Sequence, residues 1–288
     1  MKRVGFVVHP DREAARFAAD RLVGWLEERG VECRRFHDDG RAAPGSAQAF
    51  VEGLDVIVSV GGDGTFLHAA HLASRTSCPV LGVKVGRLGF LTEVEPEDAP
   101  PLLERALAGT ACIEERMAVV AEALGGTAFE PQWALNEVIV EKKARHRLVR
   151  LAVFVDEEYV TTFSADGVIV ATPTGSTAYS FSSGGPIVTP TVSCLIVTPV
   201  AAHMVFDRSL VLHPDERVIL QVVGDEDGLL SADGRESLEL PVGASVRIAR
   251  APNPARMIRR EDAPGFHALL REKFDLPGEA PIRRPPGV

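Results

Sequence analysis

Gly61-Gly62-Asp63-Gly64-Thr65 follows the apolar run Val56–Val60 and precedes Phe66-Leu67-His68-Ala69-Ala70-His71-Leu72, which has helical spacing. Three glycines in four positions free the backbone for positive φ and for close approach to a ligand, and Thr65 is expected to cap the helix. Free N–H groups at a helix amino end bind phosphate. A carboxylate beside a phosphate is unfavourable unless it binds a metal ion or takes a proton. Asp63 is therefore the candidate catalytic group, with Gly61, Gly62, Gly64 and Thr65 as candidate phosphate contacts. The plainer reading is a tight strand-to-helix turn in which Asp63 serves its turn propensity.

Two more segments carry polar groups where apolar ones are expected. Asn136-Glu137 interrupts the apolar stretch Trp133–Glu141, and such residues are rarely left unpaired inside a strand. Either they face a ligand, or Glu137 lies on the solvent face and Asn136 forms a bulge. The run Thr172-Pro173-Thr174-Gly175-Ser176-Thr177-Ala178-Tyr179-Ser180 is rich in hydroxyls, which both donate and accept, and Tyr179 offers a flat face for a base. Its plainer reading is a helix start with a core tyrosine.

Taken with Asp166-Gly167-Val168-Ile169-Val170-Ala171 upstream of that run, these segments resemble the NAD kinase family in order and over most of the chain. The resemblance implies an α/β first domain, a β-rich dinucleotide-binding domain, and a carboxy-terminal segment that packs back onto the first. It implies phosphorylation of the 2′-hydroxyl of the adenosine ribose of NAD by ATP or polyphosphate, with Asp63 as general base. Asn136 would meet the adenine end, Glu137 a ribose hydroxyl, and Asp166 the nicotinamide end. Thr174, Thr177, Ala178, Tyr179, Ser180 and Ser182 would line the site. Arg147 falls where the family often has a basic ligand contact, although it lies in a charge run that reads equally as a solvated face. Ser164 stands where some members that prefer NAD to NADH carry arginine, which implies that NADH is accepted too. The chain departs from the family at Lys84, where an amide is usual, and around His203. Either Lys84 meets polyphosphate or it points outward; a lone histidine such as His203 is more often structural. Gly-Gly-Asp-Gly-Thr is also shared with lipid kinases, and a non-catalytic dinucleotide-binding regulator is a further alternative.

The elements needed to position these residues are legible. Strands are expected at Val4–Val8, Val31–Phe36, Val56–Val60 and Pro79–Val83, with helices over 12–28 and 98–108; alternation of this kind implies a parallel sheet. From Cys112 the helical period gives way to short strands, among them Met117–Ala123, Trp133–Glu141, Val149–Val155, Val168–Ala171, Leu195–Pro199, Val218–Val223 and Ser245–Ala249, which suggests a sandwich. Helical spacing returns at Phe266–Phe274. The expected division is therefore 1–111, joined by 252–288, and 112–251, with a frayed tail from Pro281. At 288 residues and 45% apolar the chain can bury a large core, and its net charge of −9 disfavours nucleic-acid or anionic-membrane partners. No segment has signal-peptide or membrane-span character, so a cytoplasmic protein is expected. Cys33, Cys78, Cys112 and Cys194 are scattered and read as buried free thiols. Without a metal-ligand cluster, the implied ion is Mg²⁺ or Mn²⁺ arriving with the donor. The resemblance also implies a homo-oligomer, a dimer or tetramer.

Overall fold

The computed structural model describes residues 1–36, 45–86, 89–92, 94–125, 129–235 and 237–276. The tail from Pro281 lies outside the described residues, as do Arg87 and Leu88. Continuous apolar runs form β1 (Arg3–Val8), β2 (Glu32–Phe36), β3 (Val56–Gly61) and β4 (Val80–Lys84), paired in parallel in the order β2-β1-β3-β4. Runs without alternation suit strands covered on both faces. The covering helices are α1 (Glu13–Glu27), α2 (Ser46–Val51), α3 (Asp63–Ala73) and α4 (Ala99–Leu107). Leu22, Leu26, Leu102 and Leu103 of α1 and α4 close one face, and Phe50, Phe66 and Leu72 of α2 and α3 close the other.

Beyond α4 the chain runs through β5 (Cys112–Arg116), β6 (Val119–Leu124), β7 (Gln132–Ala134), β8 (Glu137–Lys142), β9 (Val149–Val155), β10 (Glu158–Ala165) and β11 (Gly167–Ala171). A 3-10 turn (Thr174–Thr177) and a short helix α5 (Tyr179–Ser182) follow. The remaining elements are β12 (Leu195–Val200), β13 (Leu210–Leu212), β14 (Val218–Val223), β15 (Gly228–Ala232), β16 (Leu238–Leu240), β17 (Ser245–Arg250), β18 (Ala255–Arg259) and α6 (Phe266–Lys273).

Two antiparallel six-stranded sheets, β10-β9-β14-β17-β6-β7 and β13-β12-β11-β8-β15-β16, enclose a core of Val138, Val140, Leu151, Val153, Phe163, Val168 and Val170. This is the expected sandwich. The first sheet is larger than expected: β18 joins β4 in parallel and β5 pairs antiparallel with β18, so the chain leaves that sheet after Arg116 rather than at Cys112. α6 and the residue after it return to the first domain, where Phe266 and Phe274 pack on Phe90 with ring centroids 6.4 and 6.1 Å away.

The sandwich has two corners that matter below. Between β7 and β8 the chain passes from one sheet to the other through a bend at Leu135-Asn136; between β10 and β11 it does so again at Asp166. The expected single strand Trp133–Glu141 is thus two strands in different sheets. Cys78 and Cys194 are buried free thiols as expected, whereas Cys33 is half-buried and Cys112 exposed. Among the described residues no helix is long and apolar enough to cross a membrane.

Candidate active site

At the carboxyl end of β3 the chain turns directly into α3, whose first residue is Asp63. None of Gly61, Gly62 and Gly64 takes a positive φ, so the expected left-handed turn is not how these glycines work. Gly61 is needed for close approach instead, since a Cβ there would stand 2.4 Å from the Thr65 hydroxyl. Nor does Thr65 cap the helix: Gly62 occupies the cap position with no side-chain bond, and Thr65 packs back on Gly61. Side chains at Gly62 or Gly64 would meet open space. The amino end of α3 is therefore free on that side to receive an anion.

Asp63 is fixed by the loop that follows β4. The amide of Phe90 donates to Oδ2 at 2.8 Å, and the Leu91 amide and Thr92 hydroxyl donate to Oδ1 at 3.1 and 3.2 Å. The loop wraps so closely that a Cβ on Gly89 would lie 1.8 Å from Asp63 Oδ1. Lys84, at the end of β4, pairs with Glu95 at 2.8 Å.

The corner between β7 and β8 is held by Asp233. Its carboxylate accepts from the amides of Leu135 (2.7 Å), Asn136 (2.8 Å) and Glu137 (3.1 Å). The Asn136 carbonyl in turn accepts from the Thr172 amide at 2.8 Å, and Thr172 Oγ1 donates to the Leu135 carbonyl at 2.5 Å. Gly175 approaches so near that a Cβ would lie 2.1 Å from the Asn136 oxygen. The bend thus seats the hydroxyl-rich run against Asn136-Glu137. Glu137 is not on the solvent face: its carboxyl accepts the Tyr179 amide, while Oε2 is buried with no hydrogen-bond partner among the described residues. Burial, and secondly the charge of Asp233, push its pKa up to about 8 against the pull of the Tyr179 N–H.

Within the run, Thr174 is buried with its hydroxyl 3.4 Å from the buried guanidinium of Arg116, and Thr177 donates to the Thr174 carbonyl. Ala178 joins the 3-10 turn to α5. Tyr179 is 43% exposed, which removes the core reading. Its phenol is pushed up by burial and then by Glu141, Asp166 and Glu137, which places those carboxyls around it. Ser182 is exposed on the same short helix, whereas the Ser180 hydroxyl is buried against Thr198 at 3.1 Å. Asp166, at the second corner, pairs with Lys142 at 2.5 Å. Ser164 is half-buried near the end of β10, and its carbonyl accepts the amide of His203, an exposed residue rather than one in an apolar setting. Arg147 is not brought to the others: it is exposed in the turn after β8, at the opposite end of that strand from Glu137, and pairs with Glu226.

Phe90 and Leu91, which hold Asp63, line a cavity of about 420 Å³ together with Arg116, Thr174, Thr177 and Arg259. It joins the first domain to the hydroxyl-rich run. A larger open depression of about 740 Å³ lies on the outer face of the β9-β14-β17 sheet, remote from all these residues, and we assign it no role. Sequence reading missed Asp233, Arg116 and the Phe90–Thr92 donors, and it did not foresee that Thr172 would bind the β7–β8 bend. Asp233-Gly234 was the available signal, an Asp-Gly pair with φ of +50° and +69° that closes the hairpin between β15 and β16.

Comparison with known proteins finds similarity to NAD kinases. Two family models match, described as the ATP-NAD kinase N-terminal domain over residues 41–111 and the ATP-NAD kinase C-terminal domain over 135–260. The chain is 39% identical over 285 residues to an NAD kinase of Moorella thermoacetica, covering 95% of this chain and 89% of that one. It is 40% identical over 280 residues to an NAD kinase of Heliobacterium modesticaldum, covering 95% and 99%. Among solved structures, an NAD kinase from Archaeoglobus fulgidus in complex with ATP superposes with a TM-score of 0.75 at 27% identity, covering 96% of this chain and 99% of that one. Yeast NADH kinase in complex with NADH shares the fold, with a TM-score of 0.87 at 22% identity, covering 99% and 90%.

Proposed function

Since the chain belongs to the NAD kinase family and is an enzyme of that activity, we propose that it transfers a phosphoryl group from ATP or polyphosphate to the 2′-hydroxyl of the adenosine ribose of NAD. Asp63 takes the hydroxyl proton. The observation that carries this role is the fixed Asp63 carboxylate, held by Phe90 and Leu91, which themselves line the cavity shared by both domains: three donors orient it, and Oδ2, which accepts only one of them, keeps lone-pair capacity for an incoming hydroxyl. Phosphoryl transfer depends on positioning and charge stabilisation, which the open amino end of α3 supplies through the N–H groups near Gly62 and Gly64.

On the acceptor side, Asn136 meets the adenine, Glu137 a ribose hydroxyl, Tyr179 a base or ring face, and Asp166 the nicotinamide end, with Thr174, Thr177, Ala178 and Ser182 completing the walls. Ser180 supports this wall from beneath through Thr198. Arg147, paired on the surface, we leave out of the contact set. Among the described residues no group of three or more His, Cys, Asp or Glu gathers as a metal site, so no residue here is assigned a resident ion. Mg²⁺ or Mn²⁺ would come with the donor and neutralise its phosphates. Residues 1–116 and 252–276 form the phosphate-handling part in this reading and 117–251 the dinucleotide-binding part. A cytoplasmic homodimer or homotetramer is the working assignment, with light scattering as its check.

The test is to incubate the protein with NAD, Mg²⁺ and either ATP or polyphosphate, then to titrate NADP with an NADP-specific dehydrogenase. NADP formation supports the proposal and identifies the donor. Lipid phosphorylation, or NAD binding without turnover, would contradict it.

A further inference from the structure

Two carboxyl groups, Glu137 and Asp233, share the corner between β7 and β8, and they are held in different ways. Asp233 stands at the hairpin turn with φ of +50°, a conformation that non-glycine residues enter at a cost. Its reward is contact with three successive amides, those of Leu135, Asn136 and Glu137. Two residues on, Arg235 donates to the Trp133 carbonyl at 2.5 Å, so one turn grips both ends of the Trp133–Glu137 segment. Glu137 is the contrast: it receives one N–H, from Tyr179, and its Oε2 is buried with no hydrogen-bond partner among the described residues.

We propose that Asp233 is a positioning residue of the acceptor site: it fixes the bend that aims Asn136 and Glu137 and sets a negative charge behind Glu137, so that Glu137 meets the dinucleotide as a neutral acid. This inference rests on the NAD-binding reading above. Among the described residues the Asp233 carboxylate accepts three N–H groups, which favour its charged form. A proton on Oε2 of Glu137 displaces no hydrogen bond. Burial raises both groups: Asp233 stays raised overall although the three amides and the Arg235 charge oppose the rise, whereas for Glu137 the Asp233 charge adds to it and only the Tyr179 N–H opposes. The two titrate as a pair, and the three amides on Asp233 favour the proton on Glu137. The other ionisable groups around Glu137 do not reverse this. Glu141 lies on the same face of β8 and is itself raised by burial; Asp166 is paired with Lys142; the Tyr179 phenol is raised; and His71, behind Arg235, is neutral, its pKa lowered to about 3 by burial and by the charge of Arg235. A neutral acid can donate to a ribose or phosphate oxygen of the dinucleotide, and it does not repel the ligand's phosphates. The unpartnered oxygen is satisfied when that ligand arrives.

The experiment measures NAD affinity by calorimetry, and kcat and KM for NAD, across about pH 6 to 9.5 in the native protein, Asp233→Asn and Glu137→Gln. Native affinity is expected to fall about tenfold per pH unit above about pH 8, where Glu137 ionises. That alkaline limb should vanish in Glu137→Gln. In Asp233→Asn the inflection should move down by about one pH unit or more, with KM raised about tenfold and kcat affected less. A merely structural Asp233 would leave the inflection in place. A native profile without an alkaline limb, a limb that survives in Glu137→Gln, or an unmoved inflection in Asp233→Asn overturns the inference. If Asp233→Asn does not unfold cooperatively, Glu137→Gln decides alone. A protein that forms NADP with pH-independent NAD affinity refutes this inference only, whereas one that binds no NAD at any pH refutes the substrate reading as well.

Discussion

Tyr179 presents a ring that is 43% exposed at a place where most aromatics would be buried, held between the Glu137 and Asp166 corners. If that face stacks on the dinucleotide, Tyr179→Ala should weaken binding by about 1–3 kcal/mol, seen as a raised KM for NAD with an unchanged melting temperature. A lower melting temperature with unchanged NAD kinetics would instead make Tyr179 a packing residue. Ser164, small and neutral two residues before Asp166, should allow NADH as well as NAD, with discrimination of no more than about 1–3 kcal/mol. Comparing kcat/KM for the two acceptors in native protein and Ser164→Arg checks this; outright rejection of NADH by the native protein, or no change of ratio in the variant, removes Ser164 as a determinant. Single residues were legible where their type was anomalous. Asp63 stood out among glycines and Glu137 within an apolar stretch. The groups that hold them did not, because the Phe90, Leu91 and Tyr179 amides belong to any residue and carry no signature in sequence.

Helices and strands with one uninterrupted period were readable almost to the residue: Val149–Val155 and Val218–Val223 occur as expected. The failures have a common cause. Trp133–Glu141 kept its apolar character while the chain changed sheets, and the bend that divides it is enforced by Asp233, ninety-odd residues away. β18 sets Met257-Ile258 between Arg256 and Arg259, and Arg259 reaches Glu114 across the sheet, so a short apolar pair flanked by charge masked a strand whose partners come from elsewhere in the chain. At this scale α3 makes a prediction. Gly64 lies in the helix, where alanine is better by about 1 kcal/mol, and a Cβ there meets only open space. Gly64→Ala should therefore raise the melting temperature yet raise KM for ATP, by filling the room where the donor's phosphates lie. An unchanged KM would place those phosphates elsewhere.

Two half-buried groups with opposite shifts, His71 and Glu137, shape how stability depends on pH for the whole molecule. His71 is held neutral down to about pH 3, so between about 3 and 6.5 the unfolded chain binds the extra proton and stability rises with pH, by about 1.4 kcal/mol per unit. Glu137 is protonated up to about 8 in the folded protein; it binds the extra proton between about 4.5 and 8, and stability falls with pH over that window. Where the windows overlap the two slopes cancel, leaving a decline from about pH 6.5 to 8 that belongs to Glu137. Urea midpoints should show that decline in native protein and lose it in Glu137→Gln; a decline that persists would assign it to another group. Both groups sit near the apolar contact where Trp133 and Leu135 of the sandwich meet α3, the helix that also carries Asp63. The fold thus brings the β7–β8 corner and α3 together, and we propose Asp63 as the base at their junction. The most direct measurement is the rate of NADP formation and the Kd for NAD in Asp63→Asn beside the native protein. Turnover in the variant is expected to fall by about 10²- to 10⁴-fold with NAD affinity little changed; near-native turnover would contradict the role of Asp63 as base.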